Sequence, residues 1–222
     1  MNSSFAGTAA TWLVILVFAC CTGQAMTLEL ASDGGEFVSA GGTWSFFRGT
    51  GPASEPADAW TGVDFNDSFW ETGTGGFGFG DDDDATVLDD MQGNYAAVYV
   101  RTRFSVATVD TGAALELTID YDDGFVAYLN GREVARRSMP DGAVTFATLA
   151  SSHEAGTAET VSLGAARDLL REGINVLAIE GHNSSLTSTD FSLNPILRAN
   201  SGVVRNGEVG IVRTNSVEVV AR

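Results

Sequence analysis

The stretch "YDDGFVAYLNGREVARR", Tyr121 to Arg137, decides the fold. Asn130-Gly131 stands between "FVAYL" and "REVAR". A two-residue type I′ loop needs positive φ at both central positions, which Asn and Gly supply most readily. The pair therefore predicts an antiparallel hairpin with Leu129 opposite Arg132, Tyr128 opposite Glu133 and Ala127 opposite Val134. Upstream, an Asp side chain of "DDG" can accept a hydrogen bond from a backbone N–H two residues on, while Gly124 tolerates the turn that redirects the chain. On these grounds Asp122 and Asp123 read first as architecture, with cation binding as the competing reading.

The residues around the hairpin keep a period of two. In "AALELTIDY", Leu115, Leu117, Ile119 and Tyr121 share one face and Glu116, Thr118 and Asp120 the other, the alternation of a half-buried strand. "YAAVYVRTRFSV" (Tyr95 to Val106) sets Val98, Val100, Phe104 and Val106 against Arg101 and Arg103. Further strands are predicted at Thr43–Arg48, Ala143–Leu149, Ala158–Leu163, Ile174–Gly181 and Phe191–Ala199. One short helix is predicted in "LGAARDLLREG", with Leu163, Ala166 and Leu170 on one face and Gly173 as its left-handed stop. Strands separated by Gly-, Ser-, Thr- and Asp-rich loops, with no helix between most of them, predict an all-β jelly-roll sandwich rather than a parallel α/β sheet.

The chain has 222 residues, 44% of them hydrophobic, enough for one sizeable core. Twelve Lys+Arg against 29 Asp+Glu give a net charge of −17. That charge repels phosphate backbones and anionic membranes, so nucleic acid is excluded as a first partner, and cations or neutral polymers fit better. The apolar run Thr11 to Cys21 is too short to span a bilayer and is followed by the small residues Gly23 and Ala25. Residues 1–25 read as a secretion signal, although the segment before the run carries no Lys or Arg. Both cysteines, Cys20 and Cys21, fall inside it, leaving a mature chain without disulfides. Release is expected, and lipid anchoring at Cys20 is the alternative.

"GDDDDATVLDD" brings Asp81, Asp82, Asp83 and Asp84 together, which suits calcium, a hard cation with six to eight oxygen ligands. The run lacks the EF-hand glycine, since Thr86 stands in its place. A solvated loop also tolerates it, because carboxylates ~5 Å apart in water repel by under about 1 kcal/mol. Only two histidines, His153 and His182, are present, too few for an ordinary zinc site in a cysteine-free chain. Glu180, His182, Ser184, Ser185 and Asp190 lie close in sequence and invite a hydrolase triad, but no strand-to-helix nucleophile turn accompanies them. Trp60 is the candidate stacking platform for a sugar ring, with core packing as its competing role.

Together "GTWSFFRGTGPASEPADAW", "FNDSFWETGTGGFGFGDDDD", "YDDGFVAYLNGREVARRSMP", "LREGINVLAIEGHN" and "TSTDFSLNPILRA" resemble a galactose-binding-like jelly-roll module. Such modules occur in large secreted bacterial proteins, beside lamin-tail, spore-coat-kinase-like or phosphoesterase domains. The resemblance spans about residues 40–199 and implies a turn-and-hairpin core of Asp122, Asp123, Gly124, Asn130 and Gly131, with Trp70 as a packing residue. It names no catalytic residue. In the wider superfamily sugar binding and a structural calcium ion are frequent, so the implied cofactor is Ca2+. The expected cation contacts are Asp81, Asp82, Asp83, Asp84, Asp122 and Asp123.

The expected organisation is a signal at 1–25, the sandwich at 27–200, and a C-terminal segment at 201–222. The last of these is similar to the opening strand of a following module, as in a fragment of a longer product. The expected role is a secreted, non-catalytic accessory or adhesion module whose partners are glycans or neighbouring extracellular domains. A purely structural or docking module is the first alternative, and part of a glycoside hydrolase or other secreted hydrolase the second.

Overall fold

Two-residue alternation becomes two sheets packed face to face. The computed structural model describes residues 35–110 and 112–201 and the strands within 203–220, with side chains as far as residue 200. The signal segment 1–25 and Cys20 lie outside the described residues. In chain order the strands are β1 (Glu36–Val38), β2 (Thr43–Arg48), β3 (Glu71–Thr74), β4 (Phe77–Phe79), β5 (Thr86–Val87) and β6 (Ala97–Val106). They continue with β7 (Ala113–Asp122), β8 (Gly124–Leu129), β9 (Arg132–Arg137), β10 (Glu159–Ala165), β11 (Gly173–His182) and β12 (Phe191–Ser201). The first sheet runs β10-β7-β12-β4-β5, with β1 also paired to β12, and the second runs β3-β2-β6-β11-β8-β9. The ladder between β4 and β5 is parallel. Gly34–Gly202 forms one compact unit. Residues 203–220 belong to another, in which β13 (Val203–Asn206), β14 (Val209–Thr214) and β15 (Val217–Val220) make an antiparallel meander.

The core lies between the sheets and is built by the predicted parities. Leu115, Leu117, Ile119 and Tyr121 of β7 meet Val98, Val100 and Phe104 of β6, with Leu177 and Ile179 of β11 and Phe191, Leu193 and Leu197 of β12. A second apolar cluster sits on the outer face of the second sheet, where Trp60 packs over Ala97, Tyr99, Val176 and Ala178. Strand β11 is therefore covered on both faces, and its residues from Asn175 to His182 are all buried. Gly181 belongs there because an added Cβ would lie 2.7 Å from the Phe191 ring. Pro195 sits inside β12 at no cost to the ladder. On that side of the strand β4 pairs only with 191–193 and β1 begins again at Leu197, so the missing N–H falls in the gap.

Several local expectations are corrected. In the hairpin, Leu129–Arg132 and Tyr128–Glu133 pair as predicted, but Ala127 pairs with Ala135 instead of Val134. A bulge inserts Val134, so both Val134 and Ala135 reach the core while Arg136 returns to Glu133. The helix is a single turn, Ala166–Leu169, because Leu163 is taken by β10 and Gly173, at φ 89°, opens β11. Ala143–Leu149 is not a strand. Thr145 and Thr148 bond each other locally, through Thr145 N–H to Thr148 Oγ1 at 2.9 Å, and draw the segment into a turn. Gly124 is required by close approach, not by φ: a Cβ there would meet Ala150 at 2.8 Å and the Arg137 carbonyl at 3.0 Å.

Candidate functional site

The two neighbouring acids of "DDG" take different roles. Asp123 turns the chain from one sheet to the other, and its Oδ1 accepts the His153 N–H at 2.9 Å while Oδ2 accepts the Ser184 N–H at 2.6 Å. Those donors come from distant loops, not from two residues on. Asp122, 4% exposed, lines an acidic cleft instead.

That cleft, about 270 Å³, forms because β4, β12 and β7 are neighbours in the first sheet. The loop after β4 contributes Asp81, Asp83 and Asp84, β7 contributes Asp120 and Asp122, and Glu154 and Asp190 come from two further loops. The carboxylates of Asp81, Asp83 and Asp84 lie within 4.8 Å of one another, and so do those of Asp122, Glu154 and Asp190. Asp82, at φ 65°, shapes the loop and does not line the cleft. Four of the six acids singled out by the sequence therefore line one cleft. Asp120, Glu154 and Asp190 were not among the expected cation contacts, Asp190 having been noted only in the triad-like set.

Crowding acts on the charges. Burial, then the charges of Asp81 and Asp83, push the Asp84 carboxyl up to about 7. Burial, then Asp123, Asp190 and Glu154, push Asp122 up to about 7. The charge of Asp81 raises exposed Asp83 as well. The two acidic groups could hold a metal ion, and an all-oxygen donor set suits a hard cation such as Ca2+ rather than zinc.

A second cavity, about 620 Å³, opens on the outer face of the second sheet. The 3-10 turn Ala59–Thr61 brings Trp60 to it, β6 brings Tyr99, β8 Tyr128, β9 Glu133 and Arg136, β11 Glu180, and the loop after β9 Phe146. Trp60 is only 3% exposed, so it is part of the cavity lining and of the packing beneath it, not an open platform. Its ring meets Tyr99 at 5.0 Å and Tyr128 at 5.6 Å, both edge-on at 78°. Tyr128 donates its hydroxyl to Glu180 Oε1 at 2.7 Å, and His182 Nε2 lies 3.2 Å from Oε2. Burial, then the Glu180 charge, raises both tyrosine hydroxyls above their ordinary range. Arg136 holds Glu133 in a fork of two 2.9 Å bonds and lowers that carboxyl.

The wall carrying Trp60 is clasped by a buried guanidinium. Arg101, 1% exposed, bonds Asp67 and the Gly62 carbonyl (2.7 Å), and Arg103 holds the other side of Asp67 at 2.8 Å. Alternation placed Arg101 on the outer face of its strand and gave no sign that a loop would bury it.

The triad-like set is dispersed. His182 bonds Glu180 and the Thr148 carbonyl, the Ser184 N–H is held by Asp123, Ser185 faces Thr187, and Asp190 lines the acidic cleft. Among the described residues no serine hydroxyl meets a histidine.

No protein-family profile matches the chain, and no curated protein matches it. Among solved structures it is similar to a β-glucuronidase from an uncultured Clostridium sp., at 13% identity and a TM-score of 0.47, covering 84% of this chain and 34% of that one. It is also similar to a Bacteroides uniformis β-glucuronidase (14% identity, TM-score 0.48, 73% of this chain and 17% of that one). A β-glucuronidase of glycoside hydrolase family 2 gives 16% identity, a TM-score of 0.45, and coverages of 77% and 18%. The chain spans about a third or less of the length of these structures.

Proposed function

We propose that this chain is a galactose-binding-like, non-catalytic module of a secreted multidomain protein, binding a glycan in its aromatic cavity and a structural calcium ion in its acidic cleft. The observation that carries the reading is the cavity: about 620 Å³ is the size of a small-ligand site, and indole, phenol and phenyl rings share it with carboxylates and a guanidinium. Rings supply the apolar face that a sugar's C–H surface stacks on, and the charged groups accept or donate to its hydroxyls. Support for the cation comes from the two groups of carboxylates, whose mutual repulsion a divalent ion would relieve.

Calorimetry against a panel of mono- and disaccharides tests the glycan. A saturable signal weakened by Phe146→Ala, a half-buried wall residue, is the expected result, and a blank panel removes it. Melting with and without chelator tests the ion. At a cation concentration of about 100 Kd the gain is about 2.7 kcal/mol, so an unchanged melt ends the calcium reading. Docking of a neighbouring domain is the second reading, favoured by Phe69, which is 94% exposed. A blank sugar panel together with Phe69-dependent binding of an adjacent module would support it.

A further inference from the structure

We infer that the aromatic cavity selects glycans bearing a free primary amine over neutral and uronic-acid sugars, an inference that rests on the carbohydrate reading above. It starts from the charges that line the cavity. Asp58, Glu133, Asp141 and Glu180 stand against a single cation, Arg136. All three nitrogens of that guanidinium are already engaged: Nε and Nη2 on Glu133 at 2.9 Å each, and Nη1 on the Pro140 carbonyl at 2.6 Å. An incoming carboxylate would need that fork, and Glu133 occupies it.

Glu180 is held differently. His182 Nδ1 lies 2.9 Å from the Thr148 carbonyl, which only accepts, so Nδ1 donates there. Nε2 faces Glu180 Oε2 at 3.2 Å and the Tyr128 hydroxyl donates to Oε1 at 2.7 Å, so both oxygens of that buried carboxylate already have partners. Both acids on the sheet are thus engaged within the protein, Glu133 by Arg136 and Glu180 by Tyr128 and His182. The lining carboxylates left open to a ligand are therefore Asp58 and Asp141, both exposed. Beside them Tyr128 and Phe146, each half-buried, present aromatic surface to the cavity. A protonated amine gains from both the carboxylates and the ring faces, a neutral sugar gains from stacking alone, and a uronate meets like charge.

The test is calorimetry on the full chain at pH 6, in saturating calcium so that the acidic cleft does not compete. The probes are glucosamine, N-acetylglucosamine, glucose and glucuronic acid. Glucosamine should bind roughly tenfold tighter than glucose or N-acetylglucosamine, with glucuronic acid weakest. The double variant Asp58→Asn/Asp141→Asn, at two exposed positions, should bring the glucosamine-to-glucose ratio down towards one. Equal affinities for amine and neutral sugar, tighter glucuronate, or a ratio unchanged in the double variant each overturn amine selection and leave the glycan reading standing. No heat from any of the four probes overturns the glycan reading and this inference with it.

Discussion

Asp122 and Asp123 differ by one position and should respond to mutation with opposite signs. Asn is the shape of a protonated Asp, and Asp122 is held up to about 7 by burial and then by its acidic neighbours. In chelator at pH 8, Asp122→Asn should raise the melting temperature by about 2–4 °C, the shift that about 1 kcal/mol gives a domain of this size. The gain should shrink as pH falls and vanish below about pH 4, where the carboxyl is protonated in the unfolded chain as well as in the folded one. Asp123→Ala removes the acceptor of two backbone N–H groups, His153 and Ser184, and should cost about 2–3 kcal/mol at pH 8. Both are read by thermal denaturation. The sign of the pH dependence follows from the same residues. Asp84 and Asp122 bind protons more tightly folded than unfolded, so the chelated protein should lose stability as pH rises from about 4 through about 7. Saturating calcium should flatten that slope, since the ion replaces the proton. A chelated protein that grows more stable over the same window contradicts the crowding. At this scale the sequence offered the acid run but not its completion. Glu154 and Asp190 are remote in the chain; Glu154 lies in the loop before β10 and Asp190 just before β12, and the strand order β10-β7-β12 brings both beside Asp122.

The hairpin of β8 and β9 shows what an element adds to its residues. Asn130 and Gly131 take the positive φ values expected of the turn, 54° and 86°. The Asn130 side chain also donates to Asn175 Oδ1 at 2.8 Å and to the Leu169 carbonyl at 3.0 Å, and accepts the Val176 N–H at 2.9 Å. It thus ties the turn to the start of β11. Gly131→Ala should cost about 1 kcal/mol from backbone strain alone. Asn130→Ala should cost about 2–4 kcal/mol, since it removes the acceptor of the buried Val176 N–H and the donor to the Leu169 carbonyl. Urea titration of the two variants separates them, and equal losses would show that the side-chain bonds contribute nothing. Long strands such as β7 and β12 were legible because alternation holds over ten residues or so. Ala143–Leu149 misled because Thr145 and Thr148 satisfy each other locally, whereas β1, β4 and β5 are too short to show a period.

Across the whole molecule the decisive departure from an ordinary two-layer sandwich is the loop between β2 and β3, laid over the outer face of the second sheet. Arg101 and Asp67 hold it, an ion pair whose guanidinium side chain is fully buried. Arg101→Ala leaves Asp67 with Arg103 alone and empties a buried site, and should cost about 3–5 kcal/mol. Sugar binding should fail with it, because the wall carrying Trp60 is released. A melt and one calorimetric titration check both outcomes. The same covering bears on modification. Of the two Asn-x-Ser sequons among the described residues, Asn66 is exposed and Asn183 is 2% exposed, so of these expression in a eukaryotic secretory host should glycosylate Asn66 and not Asn183, as read by peptide mass spectrometry.

Because β11 is packed on one side by the hydrophobic interior and on the other by the aromatic layer, its amides should be among the slowest in the chain to exchange with deuterium. Whatever settles beside Glu180 then rests on the stiffest strip of the protein. Capture would need little rearrangement of the sheet beneath, and backbone positions with and without an occupant should superimpose to within about 1 Å.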